Sequence, residues 1–173
     1  MNALAAPPTR HAPRLLSIVT PAHDAAANLP ELYRRLEAAL TSLGGAWEWI
    51  VVDDASTDGT SAVLRALAST HPAVRPLRQP RRAGSHAAIL AGCRAACGDA
   101  AVVLVADLQD PPEMIPSLLA EWRRGADVVW AARAPGERQT NGRSPFGSAY
   151  YWLMRYVAGL RDPQHEDQLG LRR

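Results

Sequence analysis

Two acidic runs hold the residue types from which a binding or catalytic site could be built. The first is VVDDASTDGT over 51–60. Its apolar start reads as the end of a buried strand, so Asp53 and Asp54 emerge at that strand's carboxyl end. Paired carboxylates there are poorly placed for a core. They are well placed to accept hydrogen bonds from a ligand's N–H or ribose hydroxyl groups. The Ser56-Thr57-Asp58-Gly59 stretch that follows consists of turn formers, and serves equally as a turn with a helix cap or as further ligand contacts. The second run is VADLQDPPE over 105–113. Asp107 and Gln109 lie two residues apart, which lets their side-chain oxygens converge from an extended or turning backbone. Hard oxygen donors beside an anion suit Mg²⁺ or Mn²⁺, which keep coordination positions for substrate phosphates. Pro111, Pro112 and Glu113 fit a plain strand, turn and helix start just as well.

Hydrophobic periodicity supplies the frame for these residues. LLSIVT over 15–20 reads as a buried strand stopped by Pro21. Leu29, Leu32, Leu36, Leu40 and Leu43 recur at helical spacing, which predicts a helix over 29–43 with Asn28 as its cap and Pro30 in its first turn. WEWIVV over 47–52 is a second strand, and Val63, Leu64 and Leu67 belong to a second helix. A short strand over 74–77 leads into a basic loop over 78–82, then a helix over 85–96 that ends at Gly98. The most apolar strand covers 101–105; a helix over 113–124 and a strand over 127–131 follow. Alternation of this kind argues for a mostly parallel α/β sheet with helices on both faces. Ligands of such sheets bind outside the carboxyl ends of the strands. His23-Asp24, Asp53-Asp54, and Asp107 with Gln109 and Asp110 all gather at those ends.

Composition bounds the chemistry further. In 173 residues there are 19 basic side chains, and every one is arginine. Without lysine there is no Schiff base, no P-loop lysine and no ammonium for a phospho-acceptor receiver domain, whose acidic pocket a strand ending in Asp-Asp would otherwise resemble. A net charge of +2 does not indicate a general nucleic-acid binder. Cys93 and Cys97, four apart on a predicted helix, make neither a zinc site nor a disulfide framework; buried free thiols in a reducing compartment are expected. Residues 1–14 are Ala- and Pro-rich and lack the apolar region of a signal peptide, so a disordered tail is expected there. The aliphatic run over 100–106 is far short of the ~20 residues of a membrane span.

Taken in order, SIVTPAHD, WEWIVVDDASTDGT, GSHAAILAG, ADLQDPPE and GADVVWAAR resemble the family 2 glycosyltransferases. The likeness is to the bacterial branch related to dolichyl-phosphate mannosyltransferase, which moves sugars from nucleotide donors to polyprenyl phosphate. It covers 15–135 strongly and 136–160 weakly. It implies a GT-A fold forming one domain over 15–173, with a donor-binding part over 15–135 and a partial, C-terminally truncated acceptor part over 136–173.

The resemblance also implies roles. Pro21, Ala22 and Asp24 would line the nucleotide pocket, Asp53 and Asp54 would hold base and ribose, and His86 matches a family position at a helix start. Asp107, with Gln109, would bind Mg²⁺ or Mn²⁺ on the donor pyrophosphate of a UDP- or GDP-sugar. Two departures stand out: Val105 replaces the first Asp of the fuller DADLQ pattern, and Arg82 stands where the family has Asn. The implied reaction is an in-line, inverting displacement at the anomeric carbon, with charge on the departing diphosphate neutralised by metal and arginine. Asp107, Arg133 and Arg143 are the catalytic candidates, the two arginines as ligands of the acceptor phosphate or simply as solvated surface residues.

The segment FGSAYYWLMRYVAGL over 146–160 holds five of the ten aromatic residues. It suits either a packed helix or peripheral contact with the inner face of the plasma membrane from the cytoplasm. The alternative to an enzyme is a truncated, non-catalytic nucleotide-sugar-binding module. Homo-oligomerisation is left open by the sequence.

Overall fold

A computed structural model describes residues 9–131. The expected sites Arg133 and Arg143, and the aromatic segment over 146–160, lie outside the described residues.

Among the described residues four strands form a parallel sheet: β1 (Leu15–Ala22), β2 (Ala46–Asp53), β3 (Val74–Arg78) and β4 (Ala100–Val103). Their spatial order is β3-β2-β1-β4. The chain therefore builds outward from β1 to β3, then crosses back to place β4 on the opposite side of β1. The register is continuous, with Leu15 opposite Ala46 through to Ala22 opposite Asp53. Helices α1 (Leu29–Thr41), α2 (Thr60–Thr70), α3 (Ser85–Ala95) and α4 (Ile115–Arg123) connect and follow the strands. A single 3₁₀ turn, Pro112–Met114, precedes α4.

β1 runs two residues past its predicted stop, through Pro21 to Ala22. The Val19 carbonyl accepts the Leu104 amide on the β4 side, and strand groups alternate sides every second residue. Pro21 therefore turns its missing N–H to that same side, beyond the last β4 pair at Val19–Val103, where no ladder donor is needed.

Both faces of the sheet are covered. On one face, Leu29, Leu32, Leu36 and Leu40 of α1, Leu64 of α2, and Ile115 and Leu119 of α4 pack against Leu16, Ile18, Trp49 and Val51. Each such leucine, fully withdrawn from water, stabilises the fold by roughly 1.5–3 kcal/mol before entropy is counted. Trp49 is wholly buried, and its indole N–H donates to Thr20 Oγ1 at 2.9 Å. On the other face, among the described residues, α3 packs through Ala88 against Ile50 and Val52. Gly92 permits that approach: a Cβ there would stand 2.4 Å from Val19 Cγ1.

Several sequence expectations change. The predicted strand over 101–105 ends at Val103 and stands last in the order of the described strands, and Val103 and Val105 are 46% and 39% exposed. The cause is geometric. Val103 shares its face with its register partner Val19, and among the described residues α3 packs on that face mainly against β1 and β2. The segment over 127–131 is irregular, pairs with no described strand, and leaves Val128 and Trp130 exposed. Both cysteines are free as expected, but exposed rather than buried. α3 stops at Ala95, which leaves Cys97 off the helix, and its buried stripe runs through Ala88 and Gly92, which turns Cys93 outward. Arg10, in the segment expected to be disordered, donates its backbone N–H to the Arg123 carbonyl at 2.8 Å and a guanidinium N–H to the Ala126 carbonyl at 2.7 Å.

Candidate functional site

A cleft of about 420 Å³ opens at the carboxyl ends of β1, β2 and β4, where the strand order reverses. Its walls come from three loops: Pro21 to Ala25 after β1, Asp54 after β2, and Val105 to Asp107 after β4. Arg82, Gly84 and Ser85, at the entry to α3, complete it. The volume lies in the range that holds a small organic ligand.

Each of the three strand-end loops carries one strained residue. Asp24, Ala55 and Leu108 have φ of 48°, 52° and 61°, and they are the non-glycine residues with positive φ among the described residues. Such backbone costs roughly 1–2 kcal/mol per residue and persists only where surrounding contacts over-determine it. Here the contacts are visible. The Asp24 amide donates to Ser56 Oγ at 3.0 Å, the Ala25 amide to Thr60 Oγ1 at 2.8 Å, and the Ala26 amide to Asp58 Oδ2 at 3.2 Å. In return Asp24 Oδ1 accepts the Thr57 amide at 2.8 Å. That bond, foremost, holds the Asp24 carboxyl below its ordinary range. The Ser-Thr-Asp-Gly-Thr stretch thus stitches the first loop to the second.

The paired aspartates have separate tasks, as the two-residue alternation of a strand requires. Asp53 is 1% exposed and lies outside the cleft lining. Its Oδ1 accepts the Ser56 amide at 2.8 Å, and its Oδ2 accepts Arg78 Nη1 at 2.8 Å. Asp54 faces the cleft, and its two oxygens accept the Ala83 and Gly84 amides at 2.7 and 2.8 Å. This clamp fixes the loop that brings Arg82 to the cleft wall.

Of the residues singled out from the sequence, Pro21, Ala22, Asp24, Asp54 and Asp107 come together in the lining. Asp53, His86 and Gln109 do not line it. His86 is exposed on the first turn of α3. Gln109 instead donates its backbone N–H to Asp107 Oδ1 at 3.0 Å.

Two further lining residues, His23 and Asn28, were not expected as site residues, Asn28 being expected only as a helix cap. His23 Nδ1 lies 2.9 Å from the Asp54 carbonyl, and the side-chain amide of Asn28 donates to the Ala106 carbonyl at 2.9 Å. Asn28 makes no side-chain cap to α1; its amide ties that helix to the residue before Asp107. His23 was visible in sequence at a strand end, but the long-range partner of Asn28 had no local signal.

The donor set can be tested against a divalent cation. Among the described residues no group of three or more His, Cys, Asp or Glu side chains is arranged to hold a metal. Asp107 is exposed in the lining, with Oδ1 engaged by the Gln109 amide. One carboxylate of this kind fits an ion that arrives with, and is mostly coordinated by, substrate phosphates and water. It does not fit a cage built by the protein alone.

A parallel sheet covered on both faces, with an acidic strand-end cleft at its topological switch, defines an α/β protein placed to bind a ligand at its strand ends. The comparisons with known proteins narrow this. Residues 17–166 match the family described as glycosyl transferase family 2, and the chain belongs to that family. It is 47% identical over 126 residues to the undecaprenyl-phosphate 4-deoxy-4-formamido-L-arabinose transferase of Pseudomonas aeruginosa (strain LESB58), a match covering 72% of this chain and 37% of that protein. The protein of the same name from Salmonella paratyphi A is 41% identical over 119 residues, covering 68% and 36%. The chain thus spans little more than a third of the relatives it matches. Among solved structures, glucosyl-3-phosphoglycerate synthase from Mycobacterium tuberculosis in complex with phosphoglyceric acid aligns with a TM-score of 0.51 at 25% identity, over 65% of this chain and 40% of that one. The fold is of the GT-A type, as the sequence resemblance implied.

Proposed function

We propose that this chain is the donor-binding part of an inverting glycosyltransferase that passes a sugar from a UDP- or GDP-sugar to polyprenyl phosphate. One observation carries the reading: Asp24, Asp54 and Asp107, from three separate motifs, converge on one strand-end cleft of ligand size. The family membership and the undecaprenyl-phosphate transferases among the relatives support the reaction class.

In this reading the nucleotide lies across the ends of β1 and β2, with Pro21 and Ala22 as its floor. Asp54 holds the loop before α3 against it, and Asp53, through Arg78 and Ser56, braces the turn behind it. The diphosphate points toward Asp107, which would hold a Mg²⁺ or Mn²⁺ ion that neutralises charge on the diphosphate oxygens. A phosphate oxygen of the acceptor forms the new bond to the anomeric carbon from the opposite side. The bond from that carbon to the diphosphate breaks, and its electron pair leaves with the nucleoside diphosphate. A phosphate monoester is already largely dianionic near neutral pH, with a second pKa of about 6, so the step needs little help from a general base. Arg133 and Arg143 are proposed as acceptor-phosphate ligands, within a single domain over 15–173 that meets the membrane peripherally. Among the described residues no helix is long and apolar enough to cross a membrane.

The test gives the full chain Mg²⁺ or Mn²⁺, a panel of UDP- and GDP-sugars and a short polyprenyl phosphate, and measures nucleoside diphosphate release. Release that disappears in Asp107→Ala supports the enzyme. Nucleotide binding without turnover supports a non-catalytic nucleotide-sugar-binding module instead. Turnover unchanged by Asp107→Ala removes the metal assignment.

A further inference from the structure

Among the described residues Arg82 is the arginine of the cleft lining, which also presents the carboxylates of Asp24, Asp54 and Asp107. A nucleoside diphosphate brings further negative charge into that space, so the cleft needs a cation aimed inward. Neighbouring Arg78 is unavailable, because its guanidinium is spent on Asp53 Oδ2 at 2.8 Å and the Ser56 carbonyl at 3.1 Å. Arg82 carries no such ion pair among the described residues, and its placement is not left to loop motion. The two residues that follow it are clamped by Asp54, through the Ala83 and Gly84 amides at 2.7 and 2.8 Å. One carboxylate therefore positions the backbone that brings Arg82 to the cleft wall.

We infer that Arg82 is a direct ligand of the donor's diphosphate, using the forked, bidentate geometry that guanidinium offers to phosphate. The inference rests on the donor-site reading above and deepens it. It assigns Arg82 to the diphosphate rather than to the base, the sugar or the acceptor. Asp54 is then a positioning residue for that contact. Because Arg82 sits on the exposed rim, its contribution is direct charge-assisted hydrogen bonding and carries a salt dependence.

The experiment titrates uridine, UMP, UDP and a short prenyl phosphate into the full chain with Mg²⁺ present, using Arg82→Gln, Arg82→Lys and, as a charge control, Arg81→Gln. The expected result is a loss of UDP affinity of about tenfold or more in Arg82→Gln, with uridine affinity unchanged. Arg82→Lys should recover part of the loss, Arg81→Gln should leave UDP affinity as it was, and raising salt should narrow the gap between wild type and Arg82→Gln. Equal weakening of uridine and UDP would show a structural role and overturn the inference. So would unchanged UDP affinity, or an effect confined to prenyl phosphate. If the wild-type chain binds GDP and not UDP, the same series is run with guanosine, GMP and GDP; if it binds neither diphosphate, the donor-site reading itself falls, and the inference falls with it.

Discussion

At the amino ends of the strands, Glu48 is 6% exposed and both of its oxygens are answered from within the protein. Oε1 accepts Ser17 Oγ at 2.6 Å and the Cys97 amide at 2.7 Å, while Oε2 pairs with Arg75. Ser17 Oγ in turn accepts the Gly98 amide at 2.9 Å, so the loop entering β4 is fastened to β1 and β2. At the carboxyl ends, Asp107 is exposed with one oxygen engaged, Arg82 has no ion-pair partner among the described residues, and three residues hold positive φ. Both ends hold a buried carboxylate paired with an arginine of β3, Glu48 with Arg75 at one and Asp53 with Arg78 at the other. What separates them is the remainder: a charge that is buried and fully paired fastens the fold, whereas the unanswered capacity of Asp107 and Arg82, on loops beyond the strand ends, is available to a ligand.

Substitutions at four positions would break or sharpen that contrast. The largest effect on stability is expected from Glu48→Ala, which strands the donors around it; a loss of about 3–5 kcal/mol should appear in denaturant unfolding. Glu48 also sets a pH dependence. Burial opposes its ionisation, but the bonds from Ser17, the Cys97 amide and Arg75 outweigh that, and its pKa is held below the ordinary 4.5. A depressed folded pKa gives stability that is fully present above 4.5 and lost as pH falls through the folded value. Urea midpoints measured from neutral to acid pH should therefore fall less steeply in Glu48→Gln than in wild type. Next comes Asp107→Ala, which should cut turnover on the order of 100-fold or more while leaving the unfolding midpoint nearly unmoved. Gly92→Ala should cost about 1–3 kcal/mol, because the added Cβ meets Val19 and Val52 and lifts α3 from the sheet. Smallest is Arg35→Ala. Its paired bonds to Glu113 at 2.9 and 2.6 Å are exposed, and their loss should shift stability by at most about 1 kcal/mol.

The frame of this molecule was legible because its signals are local. The leucine spacing of α1, the apolar runs of β1 and β2, and the position of aspartates at strand ends each needed only neighbouring residues. The two-residue alternation along β2 also carried the signal that separates Asp53 from Asp54, although reading the pair together hid it. Other features depend on contacts distant in sequence. Val103 looked like core because its side chain is apolar, yet its burial depends on whether α3 reaches the edge of the sheet. Pro21 looked like a strand stop, yet the end of β4 is what permits it. Arg82 lines the cleft beside two amides held by Asp54, 28 positions earlier, a contact with no local signal.

The central claim is that the strand-end cleft, and not the opposite end of the sheet, holds a nucleoside diphosphate. Calorimetric titration of UDP and of GDP into the full chain, with and without Mg²⁺, tests it in three proteins: wild type, Asp107→Ala and Glu48→Gln. The account predicts saturable one-site binding that Mg²⁺ strengthens in wild type and in folded Glu48→Gln, with the Mg²⁺ effect lost in Asp107→Ala. Absence of binding by the wild-type chain, or loss of the Mg²⁺ effect in Glu48→Gln with its retention in Asp107→Ala, would contradict it.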